Sequence, residues 1–122
     1  MANAINWFEI PAVNFDRAKK FYSAVFDADL HVEDLMGVKM AFLPADNKSV
    51  GGAVCSGEGY KPSMDGAKLY LNGGEDLNHP LSRVESAGGK VVMPKTKISD
   101  EIGYFAIFVD TEGNQVAFHS PR

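Results

Sequence analysis

Among the side chains able to move a proton or hold a metal on segments patterned as strands, Glu9, Cys55 and His119 stand out. Glu9 lies in 4–10, where Trp7 and Glu9 take one face and Phe8 and Ile10 the other, before Pro11 closes the strand. His119 ends 115–119, with Val116 and Phe118 pointing one way and Gln115, Ala117 and His119 the other. An enclosed carboxylate and imidazole can both be tuned towards neutral pH. Glu9 as general base with His119 as its partner, or the two as ligands of one ion, is the chemistry these types offer. The plainer reading has Glu9 accepting hydrogen bonds from a cavity wall or the backbone, and His119 at a frayed strand end. Cys55 has no nearby base in sequence to activate its thiol and reads as a small buried hydrophobe. His31 and His79 read as surface or cap residues. Gly51-Gly52 and Gly73-Gly74 lack the strand-to-helix context of a phosphate loop and read as turns and bulges.

The elements that must position these groups follow from patterning. The sharpest signal is at the C-terminal end, where the apolar run 104–109, the turn residues Asp110, Thr111, Glu112, Gly113 and Asn114, and the strand 115–119 predict a hairpin. Gly113 supplies the positive φ that such a reversal needs. Upstream, Asn14 or Asp16 can cap a helix running to Phe26, because Ala18, Phe21, Tyr22 and Val25 recur at three- and four-residue spacing. Strands at 30–35 and 38–43 flank a Met36-Gly37 turn, and 50–56 is a further strand. The segment 57–66 has three glycines and a proline, shows no periodicity and reads as a linker. The pattern then restarts. A strand at 67–71 precedes a helix beginning near Asn78 or His79, which carries Leu81 and Val84 inward and stops at Gly88-Gly89. Pro80 is tolerated in its first turn. A strand at 91–93 and a charged loop, with 95–103 a candidate lid, lead into the hairpin.

A strand-helix-three-strand unit therefore occurs twice, offset by about sixty residues, the scale at which repeats define a fold. The expectation is an α+β domain over 1–122: two βαβββ modules, at 1–56 and 67–122, joined by the 57–66 linker. At 122 residues with one cysteine, the chain can bury a core without disulfides, and a cytoplasmic location is expected. A net charge of −4 without a basic stripe argues against nucleic acid as a partner. No stretch approaches the roughly 18 apolar residues of a spanning helix, so no membrane partner is expected.

The doubled unit, with IPAVNFDRAKKFY after its first strand, RVESAGGKVVMP at its second helix and DTEGNQVAF at its last turn, resembles the vicinal oxygen chelate superfamily. That group includes glyoxalase I, bleomycin resistance proteins and extradiol dioxygenases, and the resemblance spans nearly the whole chain. It implies two curled mixed sheets around a cavity with the helices outside, a small-molecule ligand and a homodimer. Metal-dependent members ligate one divalent ion from four inward positions. Aligned on Phe21-Tyr22, Gly88-Gly89 and 110–113, these fall on Trp7, near Ala53, on Leu69 and on Ala117, none of which is a ligand. No cofactor is therefore expected, and a divalent metal only if Glu9 and His119, two residues further along their strands, form a displaced site with Cys55. The resemblance leaves two functions: a lyase, isomerase or dioxygenase-like enzyme using Glu9 and His119 on a small oxygenated metabolite, or a metal-free binding protein. For the latter, the pocket would draw on Trp7, Cys55, Leu69, Tyr104, Phe105 and Ala117.

Overall fold

The computed structural model describes residues 3–122. The first module contains β1 (Trp7–Pro11), α1 (Phe15–Phe26), β2 (His31–Leu35), β3 (Val38–Phe42) and β4 (Gly51–Ser56). The second contains β5 (Tyr70–Asn72), α2 (Asn78–Leu81), β6 (Lys90–Ser99), β7 (Gly103–Val109) and β8 (Gln115–Ser120). Each module forms one four-stranded mixed sheet, ordered β1-β4-β3-β2 and β5-β8-β7-β6, with a parallel pair at one side and antiparallel pairs beyond it. The α+β expectation of two βαβββ units holds at this level.

Helix α1 begins where the Asn14 side chain accepts the Arg17 amide at 3.0 Å, which decides between the two possible caps. It ends at Asp27, in the left-handed conformation with φ 51°. Its apolar face, Ala18, Phe21, Tyr22 and Val25, is buried against both modules. Phe21 lies 6.0 Å from Phe108, and Phe26 meets Phe118 edge-on at 6.0 Å. One core results, joining Ile10, Ala41 and Val54 of the first sheet to Leu71, Ala106, Phe108, Val116 and Phe118 of the second, with Leu77, Leu81 and Val84 alongside.

Two elements depart from expectation. The second helix is a single turn, Asn78–Leu81. Beyond it Arg83 and Val84 donate to the carbonyls three residues back, so the chain reaches Gly88 through tight turns rather than a continuous α-helix. The supposed loop at 94–101 and lid at 95–103 lie largely within β6, which continues to Ser99. Its register shifts between Val91 and Met93, Met93 and Thr96, and Lys97 and Ser99. Pro94 sits between such shifts on an outer strand, where a missing N–H interrupts no second ladder.

The C-terminal turn fastens the modules together. Asp110 is buried and accepts the Tyr22 hydroxyl at 2.7 Å, the Glu112 and Asn114 amides, and the Asn114 side-chain nitrogen. Glu112 reaches across to the start of α1, accepting from the Val13 amide at 2.9 Å, the Asn14 amide at 2.8 Å and Arg17 Nε at 2.7 Å. Asn114 donates to the Pro11 carbonyl and accepts from the Ser63 amide. Burial favours the neutral form of Glu112, but the bonds from Arg17 and the two amides outweigh it and hold the carboxyl below its usual value.

Candidate functional site

Strand alternation leaves one face of each sheet for the core and the other for a site. Four buried side chains, Ala53, Cys55, Ile107 and Ala117, stand apart from the core cluster. They sit on strand positions alternate to the core residues and floor the second face. On the first sheet Glu9 pairs across β1 and β4 with Ala53, and Phe42 of β3 flanks Ala53 from the other side. On the second sheet Tyr70 and Ile107 flank Ala117 in the same way.

Glycine shapes the first sheet. An added Cβ at Gly52 would lie 2.5 Å from the Phe8 ring, so this position lets Phe8 fold over β4. At Gly51 the Trp7 ring passes within 3.4 Å of where a Cβ would stand, and crosses to meet Phe42 edge-on at 5.8 Å. Both glycines therefore open β4 as strand positions under aromatic rings. His31 stacks on the other side of Phe42 at 5.8 Å and pairs with Glu33.

Glu9 is held by two donors. Trp7 Nε1 donates to one carboxylate oxygen at 3.2 Å, and the Tyr60 hydroxyl donates to the other at 2.6 Å. Tyr60 comes from the 57–66 segment, which crosses this face and is tied down again where the Ser63 amide meets Asn114. The Cys55 thiol is fully buried close by. Desolvation, then the charge and hydrogen bonding of Glu9, push it up to about 12, so it stays protonated and non-nucleophilic at neutral pH. The hydrogen bond to Glu9 likewise pushes Tyr60 up to about 12.

His119 is engaged elsewhere. Its Nε2 lies 2.6 Å from the Ile102 carbonyl, and it pairs with Phe105 and Asn72 on neighbouring strands. Glu9 and His119 share no hydrogen bond, and no group of three or more His, Cys, Asp or Glu side chains among the described residues is placed to hold a metal ion. The available donors do not fit the four-ligand arrangement that the resemblance implies.

One pocket expectation changes. Tyr104 and Phe105 are consecutive on β7 and so point to opposite faces. Phe105 meets Tyr70 at 6.5 Å on the open side, while Tyr104 packs against the core with Lys95 Nζ 4.7 Å from its ring centre. Leu69 also packs against the core, and the residue opposite Ala117 is Tyr70. A one-residue offset in the alignment exchanges the two faces of the strand. Leu69 still lines two clefts at the seam between the sheets. One, of about 370 Å³, runs along Phe8, Leu43, Gly52, Tyr70 and Leu71; the other, of about 240 Å³, contains Glu9, Lys61, Ser63 and Gln115. Tyr60 and Phe42 are the site residues that sequence reasoning missed. The alternation of Met40 and Phe42 about Ala41 could have placed Phe42; Tyr60, in an aperiodic stretch, had no such signal.

The model of the Glyoxalase/Bleomycin resistance protein/Dioxygenase superfamily matches residues 4–118. The chain belongs to this superfamily. A glyoxylase-like domain-containing protein of Didymella fabae is 33% identical over 115 residues, covering 90% of this chain and 88% of that protein. Among solved structures, glyoxalase I from Zea mays superposes with a TM-score of 0.67 at 18% identity over 95% of this chain, which spans only 44% of the maize chain. An antibiotic binding protein from Streptomyces sp. CB03234 superposes with a TM-score of 0.64 at 20% identity, covering 100% of this chain and 99% of its own. At these identities the solved structures establish the shared fold. The superfamily includes both enzymes and binding proteins, so function has to be argued from the face just described.

Proposed function

We propose that this superfamily member is a metal-independent small-molecule binding protein whose ligand rests on the open face against Trp7, Phe42, Tyr70 and Phe105. The observation that carries this reading is the replacement of ligand types by apolar ones. Trp7, Ala53 and Ala117 occupy three of the positions that the resemblance gives to metal ligands, and the fourth falls on Leu69 beside Tyr70. Flat aromatic walls over a floor of small side chains suit a planar, largely apolar molecule, with a few polar groups to fix its orientation. The enzyme reading requires Glu9 and His119 to act together. Its support is weaker because each is engaged by a different partner. A homodimer remains part of the proposal, supported by the exposure of Trp7 at 43% and Tyr70 at 55%.

The test combines metal content with ligand response. Protein purified without chelator should carry far less than one equivalent of transition metal. Emission from Trp7, the only tryptophan, should respond to a member of a planar metabolite panel in the presence of chelator. One equivalent of metal, lost in Glu9→Gln or His119→Ala, would refute the proposal and restore Lewis-acid chemistry.

A further inference from the structure

We infer that the Glu9 carboxylate is the recognition point for a positively charged group on a planar ligand, with Trp7 and Phe42 as its aromatic walls and Tyr60 as the group the ligand displaces. This deepens the binding reading and rests on it. Among the described residues no Lys, Arg or His nitrogen lies within 4.0 Å of Glu9. Lys61 lines the same cleft without forming an ion pair with it. The carboxylate has two neutral donors, Trp7 Nε1 at 3.2 Å and Tyr60 Oη at 2.6 Å, and among the described residues no counter-charge. Its negative charge acts on its surroundings: it contributes to the raised pKa values of both Cys55 and Tyr60.

The surrounding shape suits a flat cation. Glu9, Ala53 and Phe42 lie in one cross-strand row, so about 9–10 Å separates the backbones of β1 and β3, with only a methyl group between their side chains. Gly51 lets the Trp7 ring extend over β4 to the Phe42 ring, building an aromatic wall beside the carboxylate. Aromatic faces with a carboxylate attract an ammonium or protonated heteroaromatic ring through both cation–π and ionic contact. Tyr60 is the replaceable member. It sits on an exposed segment, whereas Trp7 is fixed by its strand and by Phe42. A ligand N⁺–H would take over the oxygen that the phenol now occupies.

The Trp7 indole N–H gives one distinct ¹H–¹⁵N signal, so its shift can be followed as three naphthalene probes of matched size are added. These are 1-naphthylmethylammonium, 1-naphthalenemethanol and 1-naphthoate. The ammonium should bind at least tenfold more tightly than the other two. Glu9→Gln should abolish that preference, and Tyr60→Phe should strengthen ammonium binding several-fold by freeing the carboxylate oxygen. Equal binding of all three probes would overturn the cation inference while leaving the binding reading intact. No response to any probe would also overturn it, and the binding reading would then be decided by the metabolite panel. If Glu9→Gln fails to fold, Tyr60→Phe decides alone: unchanged or weaker ammonium binding refutes the displacement.

Discussion

Glu112→Ala removes one side chain that serves three donors at the start of α1, besides Thr111 Oγ1 of its own turn. Its carboxylate is 1% exposed and accepts from the Val13 amide, the Asn14 amide and Arg17 Nε, all within 2.9 Å. A hydrogen bond to a charged group contributes about 1.5–3 kcal/mol, yet the three do not add, because amides at the exposed start of α1 regain water once the carboxylate is gone. Arg17 is half exposed, so its ionic share is discounted for screening and most of the loss falls on the two amides. The expected destabilisation is about 2–3 kcal/mol, which at roughly 4 °C per kcal/mol lowers Tm by about 8–12 °C. Urea denaturation of the wild type and the variant measures it directly. The pH dependence has a definite sign. The folded-state pKa of Glu112 is below its usual 4.5, so the stabilisation is fully present above that value and is lost as pH falls through the lower folded value. The stability gap between wild type and Glu112→Gln should therefore be constant near neutrality and shrink on acidification below about pH 4.5. A Glu112→Ala loss under about 0.5 kcal/mol would refute the idea that this turn secures the helix start.

Other perturbations follow the same logic. Gly52→Ala should cost about 1–3 kcal/mol by driving a methyl into the Phe8 ring, and adding Phe8→Leu should relieve part of that cost in a double-mutant cycle. Tyr22→Phe should cost about 1–2 kcal/mol in thermal or chemical denaturation, since buried Asp110 loses one of its donors while its other bonds remain. Cys55 should resist iodoacetamide at pH 8 in the native protein and react readily in urea. Fast native labelling would contradict both its burial and its thiol pKa near 12.

The parts of the fold legible in the sequence were those with a strong local period. The apolar face of α1 and the β7–β8 hairpin follow directly from spacing and from Gly113, whose φ of 92° is the left-handed value a reversal requires. Period-two alternation also placed Trp7 and Glu9 on one side and Phe8 and Ile10 on the other. What local pattern could not supply was anything decided across the chain. Pro94 suggested a loop, but an outer strand with register shifts accommodates it. Gly51 and Gly52 looked like punctuation because the rings they make room for, Trp7 and Phe8, sit on a strand more than forty residues earlier. Tyr60 lies in a stretch without period, and its role depends on meeting Glu9 in space. Leu69 shows the narrowest margin, since a one-residue offset exchanged a core side chain for Tyr70.

The Glu112 contacts also constrain the order in which the molecule can assemble. The start of α1 waits for a partner 99 residues further along the chain. During synthesis the first module leaves the ribosome with its helix lacking that partner. Closing so large a loop costs entropy before any contact compensates it, so folding should be slow for a domain of this size. Truncation before the last hairpin would then leave the N-terminal helix frayed as well as deleting two strands.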